Sequence, residues 1–267
     1  MCSSDLQVLF STLIPELIES GARVIYEVDR RLLGAYERAF PGVQLIALAD
    51  PPHEALRRAS RALFAGSLPA LFRTTRESFA HQPAKLLAAR GDRIAHYRQR
   101  LAAAGEGIKV AVSWHSTRKN HLGPGKSARL RDFASLLRLP ATLFLDVQYG
   151  NTGEERAAVQ KATGVPLLRF DDVDFYNDLE ELLAILEASD LVITTSNATA
   201  HFAGALGKRT WLLYLADIPP FHYWAHDGSH RCLWYPSVEI VTGPHLADWP
   251  ALLQYVADRL RAETGGR

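Results

Sequence analysis

The chain has little of what would commit it to several broad classes of protein. Its two cysteines, Cys2 and Cys232, are too few for a disulfide framework, so a reducing, cytoplasmic setting is the expectation. The formal charge of +1 leaves no basic excess of the kind that coats nucleic acid or a membrane surface, so an anionic ligand must be met by local groups. No apolar run approaches the roughly 20 residues that span a bilayer. The opening residues MCSSDL are neither a basic leader nor the start of an apolar one, and no signal peptide is read there. Also missing is the strand and glycine-rich turn that would ordinarily start an α/β domain, because Gln7 to Ser20 already reads as a helix. The chain is therefore expected to begin inside a domain.

What is present is β/α alternation. At 267 residues, 48% of them hydrophobic, the chain can fill one large or two small cores, and two are expected. The first, residues 1–105, holds the helix Gln7 to Ser20, a strand from Arg23 to Val28, a helix from Arg30 to Phe40 and a strand from Val43 to Leu48. Irregular, proline-broken chain follows, and an Arg/Ala-rich helix over Gly91 to Ala104 links onward. The second, residues 106–267, reads as strands at Ile108–Trp114, Thr142–Gln148, Leu167–Phe170, Leu191–Thr194, Thr210–Tyr214 and Val238–Val241. Helices are expected between them at Arg131–Leu139, Glu154–Thr163, Asp178–Ser189 and Ala198–Leu206, and a last helix at Asp248–Arg261. Such alternation marks a parallel sheet.

Two stretches carry candidate chemistry. In DLVITTSNATAHFAGALGKRTWLLY, from Asp190 to Tyr214, a buried-type strand runs into Thr195-Ser196-Asn197 and then a helix. A helix N-terminus just beyond a strand's carboxyl end gathers anions, since its unpaired N–H groups and the positive end of its dipole face the bound group. A plain Ser/Thr/Asn cap without a ligand has the same pattern. After the strand IKVAVSW, the loop HSTRKNHLGPGKSARL places Arg118, Lys119, Lys126 and Arg129 beyond a second carboxyl end, as a phosphate clamp or as a solvated basic loop.

Thr199-Ala200-His201-Phe202-Ala203-Gly204-Ala205-Leu206-Gly207 resembles a signature of bacterial glycosyltransferases of the heptosyltransferase-like and tetratricopeptide-repeat-associated type, related to O-GlcNAc transferases. Val112-Ser113-Trp114-His115-Ser116, Lys126-Ser127-Ala128-Arg129-Leu130, Trp234-Tyr235-Pro236-Ser237 and the segment SLPALFRT from Ser67 are similar to further motifs of that group. The resemblance implies a GT-B pair of Rossmann-like domains, the first incomplete here, with an acceptor-side domain followed by a nucleotide-sugar domain. It implies metal-independent transfer of a hexosyl, heptosyl or N-acetylglucosaminyl unit from a UDP- or ADP-sugar to a saccharide or protein acceptor, with no cofactor. Ser113, Trp114, His115, Lys126, Gln148, Ser196, Asn197, Thr199 and His201 are the implied donor and diphosphate contacts, Lys126 being the charge for the diphosphate. Relatives carry Asp-Thr or Asp-Asn where Ser196-Asn197 stand, and a Gly-Asp turn where this chain has Ser4-Asp5-Leu6. No catalytic base is therefore assigned. The C-terminal helix is expected to pack back across the first domain.

The same residues suit a non-catalytic nucleotide-sugar-binding module that has lost its first turn, or an epimerase of the same fold. His222, His226, His230 and Cys232 have a metal-like spacing, but Pro219-Pro220 and Gly228 break the helix that would give it meaning, so no metal is expected. The acidic loop Asp171–Tyr176 reads most simply as a cap for the helix that follows.

Overall fold

The computed structural model describes residues 4–116, 127–216, 220–243 and 248–265. Its N-terminal part opens with helices α1 (Ser4–Ser11) and α2 (Ile14–Glu19). These replace the single helix expected over Gln7–Ser20. Pro15 has no N–H to donate, and its ring would meet the Ser11 carbonyl one turn back; the chain turns instead through Thr12 and Leu13, and proline sits in the first turn of α2. Strands β1 (Ile25–Val28) and β2 (Gln44–Ala47) then pair in parallel, joined by α3 (Leu33–Ala39). Short turns of helix follow, among them α4 (Pro69–Phe72), before the long α5 (Gly91–Ala104).

The C-terminal part is a parallel sheet of β3 (Ile108–Ser113), β4 (Thr142–Asp146), β5 (Leu191–Thr194), β6 (Thr210–Leu213) and β7 (Val238–Val241), in the order β4-β3-β5-β6-β7. Its helices are α6 (Ala134–Leu137), α7 (Gly153–Thr163), α8 (Leu179–Ala188), α9 (Ala198–Ala205) and α10 (Trp249–Thr264). The fold is the mixed α/β, GT-B-like arrangement expected. Two expected elements differ. Residues Leu130–Phe133 form a 3-10 turn ahead of a short α6, in place of one helix over Arg131–Leu139. Leu167–Phe170 makes one parallel bridge, Leu168 to Leu145, and no strand, because Pro166 precedes it and Arg169 turns inward to Asp146.

Strand periodicity sorts the interior into two clusters. Ala111, Leu145, Val192, Leu212 and Ile240 face one way, and Val110, Phe144, Ile193, Trp211 and Val241 the other. The second face is covered by α6 and α10. That places α10 on its own sheet, and not across the N-terminal part as expected. The first face is covered by α8 and α9, and the same cluster continues into Val8, Leu9, Leu13, Val28, Leu32 and Tyr36 of the N-terminal part. Helix α1 packs on α9, and α5 on α8. Ion pairs lace the seam: Arg38 with Glu180, Arg93 with Glu181 and Arg100 with Asp172.

Candidate functional site

Strand order reverses between β3 and β5, which lie side by side with β4 beyond one and β6 beyond the other. At such a switch point the connecting chains leave in opposite directions, and a crevice opens outside the carboxyl ends of the two strands. Both candidate stretches of the sequence end there.

On the β5 side Asn197 caps α9, its Oδ1 accepting the Thr199 N–H at 3.0 Å. Its Nδ2 donates to Ser113 Oγ at 2.7 Å, and Ser113 Oγ lies 2.8 Å from Thr194 Oγ1. These buried bonds tie the helix terminus to the ends of both strands. Within that first turn Asn197 Oδ1 takes the Thr199 N–H and the Asn197 carbonyl accepts the Ala200 N–H at 3.2 Å, so the cap satisfies these two donors itself, and the positive end of the helix lies at the crevice. Ser196 Oγ accepts the Trp224 indole N–H at 2.9 Å. Beside it, the fully buried Thr195 Oγ1 has no hydrogen-bond partner among the described residues.

The β3 side is held by Gln148, whose Oε1 accepts the backbone N–H groups of both Trp114 and His115, each at 3.0 Å. Gln148 is itself fixed through Asp146, which accepts its N–H at 2.8 Å, the Thr152 hydroxyl at 2.5 Å and Arg169 Nη1 at 2.8 Å. Burial pushes the Asp146 carboxyl above its ordinary range, and the nearby Arg169 pulls against that shift. Ser116 N–H donates to Ser127 Oγ at 3.2 Å and Ala128 N–H to Trp114 O at 2.9 Å, so the chain leaves and re-enters the same strand end.

The structure thus brings most of the sequence-predicted residues together, in different capacities. Ser113, Trp114 and Gln148 are fully buried; Trp114 lies in the core with its indole N–H on Glu155 at 2.7 Å. His115 is half-buried at the crevice. Ser196, Asn197 and Thr199 form the helix entrance. His201 is buried one turn further along α9, stacked on Trp224 at 4.5 Å with Nδ1 3.2 Å from the Tyr235 hydroxyl. Lys126, with Arg118 and Lys119, lies outside the described residues, though Ser127, the residue after Lys126, is anchored at the β3 end. His226 and His230 stack at 5.1 Å on an irregular segment.

Sequence reasoning missed the opposite wall. The carboxyl end of β1 leads to Asp29 and Arg31, which pair at 2.6 Å; Arg31 holds the Asp29 carboxyl below its ordinary range. Arg31 also donates to the Tyr176 carbonyl at 2.8 Å and sits 4.8 Å over the Tyr176 ring. From Tyr176 a line of rings runs through Tyr149 to His115. The carboxyl ends of the two sheets therefore meet across one aromatic bridge. A separate cavity of about 90 Å³ lies at the amino ends of β6 and β7, away from this crevice.

The motif glycines of α9 have packing roles. A Cβ on Gly204 would come within 2.5 Å of the Tyr235 ring. Gly207, at φ +66°, ends the helix and lies under Ala84.

The chain matches no protein-family profile. It is 30% identical over 270 residues to Protein FlbA of Caulobacter vibrioides, covering 96% of this chain and 44% of that protein, so it spans less than half of that relative's length. Among solved structures it is similar to the ADP-heptose lipopolysaccharide heptosyltransferase II of E. coli, with a TM-score of 0.60, 12% identity and 96% of each chain covered. A glycosyl transferase of family 9 from Veillonella parvula superposes with a TM-score of 0.54 at 14% identity, over 91% of this chain and 84% of its own. An E. coli heptosyltransferase determined with ADP gives 0.53 at 12% identity, over 100% and 96%.

Proposed function

We propose that this chain is a glycosyltransferase of the heptosyltransferase-like type, which moves a sugar from a nucleotide-sugar donor to an acceptor without a metal ion. One observation carries the reading: a capped helix N-terminus opens at the switch point of a doubly wound sheet, with the buried Thr195 hydroxyl, without a partner among the described residues, beside it. In this reaction the acceptor oxygen bonds to the anomeric carbon as the bond to the departing nucleoside diphosphate breaks, so negative charge grows on the diphosphate. The α9 terminus and Lys126 would offset that charge, and Asn197 and Thr199 would hold the terminus in place. Ser113, Trp114 and Gln148 would act by shaping the β3 end, and His115 by facing the donor. The similarity to heptosyltransferases, one of them determined with ADP, supports an ADP-linked heptose as donor; a UDP-sugar, a hexose or N-acetylglucosamine rests on the sequence resemblance alone. In the same reading residues 1–105 form the acceptor side and 106–267 the donor side, and the chain corresponds to the transferase portion of a longer, tetratricopeptide-repeat-associated protein.

A second reading, a nucleotide-sugar-binding module without turnover, is favoured by the Asp29–Arg31 pair. Asp29 is a carboxylate at the facing strand end, and its guanidinium partner makes it a poor proton acceptor. Calorimetric titration with ADP, UDP and GDP sugars tests the shared premise; heat with none of them would end both readings. Release of nucleoside diphosphate that depends on an added saccharide or protein acceptor separates the two. Binding without such release would leave the module.

A further inference from the structure

The stretch 57–64 is anomalous on this surface. All eight residues are exposed, residues 59–64 take no regular structure, and the stretch ends on Leu63 and Phe64, 61% and 87% exposed. Leu71, 60% exposed, follows after the next turns. Exposed apolar groups scattered singly need no explanation, but a cluster of large ones on a short segment marks a contact site. The segment's backing is firm, since Leu68 is buried and Gly66 lies against the Phe10 ring of α1.

The same stretch is locally basic: no carboxylate stands between Glu54 and Glu77, although arginines elsewhere, such as Arg23, Arg30 and Arg98, also lack an ion pair among the described residues. Arg31, Arg38, Arg73, Arg93 and Arg100 each hold a carboxylate. Arg57, Arg58 and Arg61 make no ion pair among the described residues, although the chain as a whole is nearly neutral. Arginine and aromatic side chains together are the composition of interface centres, and unopposed positive charge selects a negative partner.

We infer that residues 57–71 form a docking strip for an acidic, leucine- or phenylalanine-bearing segment of a partner protein. Carboxylates of the partner pair with Arg57, Arg58 and Arg61, and its apolar side chains cover Leu63, Phe64 and Leu71. The inference goes beyond the proposed transfer reaction and does not depend on it.

The test is fluorescence anisotropy of the full chain with a labelled peptide of about a dozen residues in which Glu alternates with Leu and Phe. Two variants, Arg57→Glu/Arg58→Glu/Arg61→Glu and Leu63→Ser/Phe64→Ser, change exposed residues only, and circular dichroism checks that they fold. Saturable binding weakened about ten-fold or more by each variant supports the strip. Absence of binding, binding unchanged by either variant, or equal binding of a polyglutamate peptide without apolar residues overturns it. Two further measurements address other occupants. Self-association in sedimentation equilibrium that Leu63→Ser/Phe64→Ser abolishes, or Phe64-dependent sedimentation with phosphatidylserine vesicles, overturns the proposal in favour of a second copy or a membrane.

Discussion

Gln148 Oε1 accepts the backbone N–H groups of Trp114 and His115 at 3.0 Å each. One side-chain oxygen from the chain after β4 thereby closes the end of β3, and the geometry of the crevice depends on it. Gln148→Ala would strand the buried Trp114 donor and the half-buried His115 donor. A loss of roughly 2–4 kcal/mol in urea denaturation is expected, from about 1–3 kcal/mol for the buried Trp114 amide and less for the half-buried His115 amide. A loss below about 0.5 kcal/mol would mean that the two amides find other partners.

Lys126→Ala should weaken ADP or UDP binding by roughly 1.5–3 kcal/mol, the scale of a hydrogen bond to a charged group, with little change in denaturation midpoint. Titration calorimetry reads it. Unchanged affinity would remove Lys126 from the site and leave α9 as the anion-facing group.

Gly204→Ala forces a methyl group into the Tyr235 ring, which is buried and cannot swing away. Overpacking of this kind costs about 1–3 kcal/mol. Thermal denaturation should show the loss, and the double variant with Tyr235→Leu should recover part of it. Additive losses in the double variant would place the strain elsewhere.

Burial pushes the Cys232 thiol up to about 12 from 9.0. In the folded chain it stays protonated while an unfolded thiol ionises, so the fold loses stability from this group as pH rises from 9.0 towards 12 and none below that window. In a Cys2→Ser background, iodoacetamide at pH 9 should modify Cys232 slowly in the native protein and quickly in urea. Equal rates would show the thiol to be open.

Much of the fold was legible because the C-terminal strands are short apolar runs bounded by strong stops, as at Leu191–Thr194 and Gly207-Lys208. The switch point between β3 and β5 came only with the strand order, which apolar runs do not encode. Pro15 was in plain view as a break in the first helix, but the apolar spacing of Val8, Leu9, Leu13 and Leu17 outweighed it. Roles within the site were harder to read than membership. Ser113, Trp114 and Gln148 stand at strand ends, yet only the folded chain brings them to bond to one another's elements and lie out of solvent. The Arg31–Tyr176 contact was invisible, since it joins residues 145 positions apart and no local pattern encodes such a pairing.

The shared interior of the two parts bears on movement. Val8, Leu9 and Leu13 belong to the same buried cluster as Leu183, Ala200 and Phe202, and the Leu86 and Leu87 N–H groups both donate to the Ala205 carbonyl, at 2.7 and 2.9 Å. A hinge that swung one part away from the other would have to open that cluster to water and break those bonds, a cost that grows with the apolar area exposed. The two sheets thus share one interior, and any separation of their carboxyl ends acts against that buried surface as well as against the loops of the crevice.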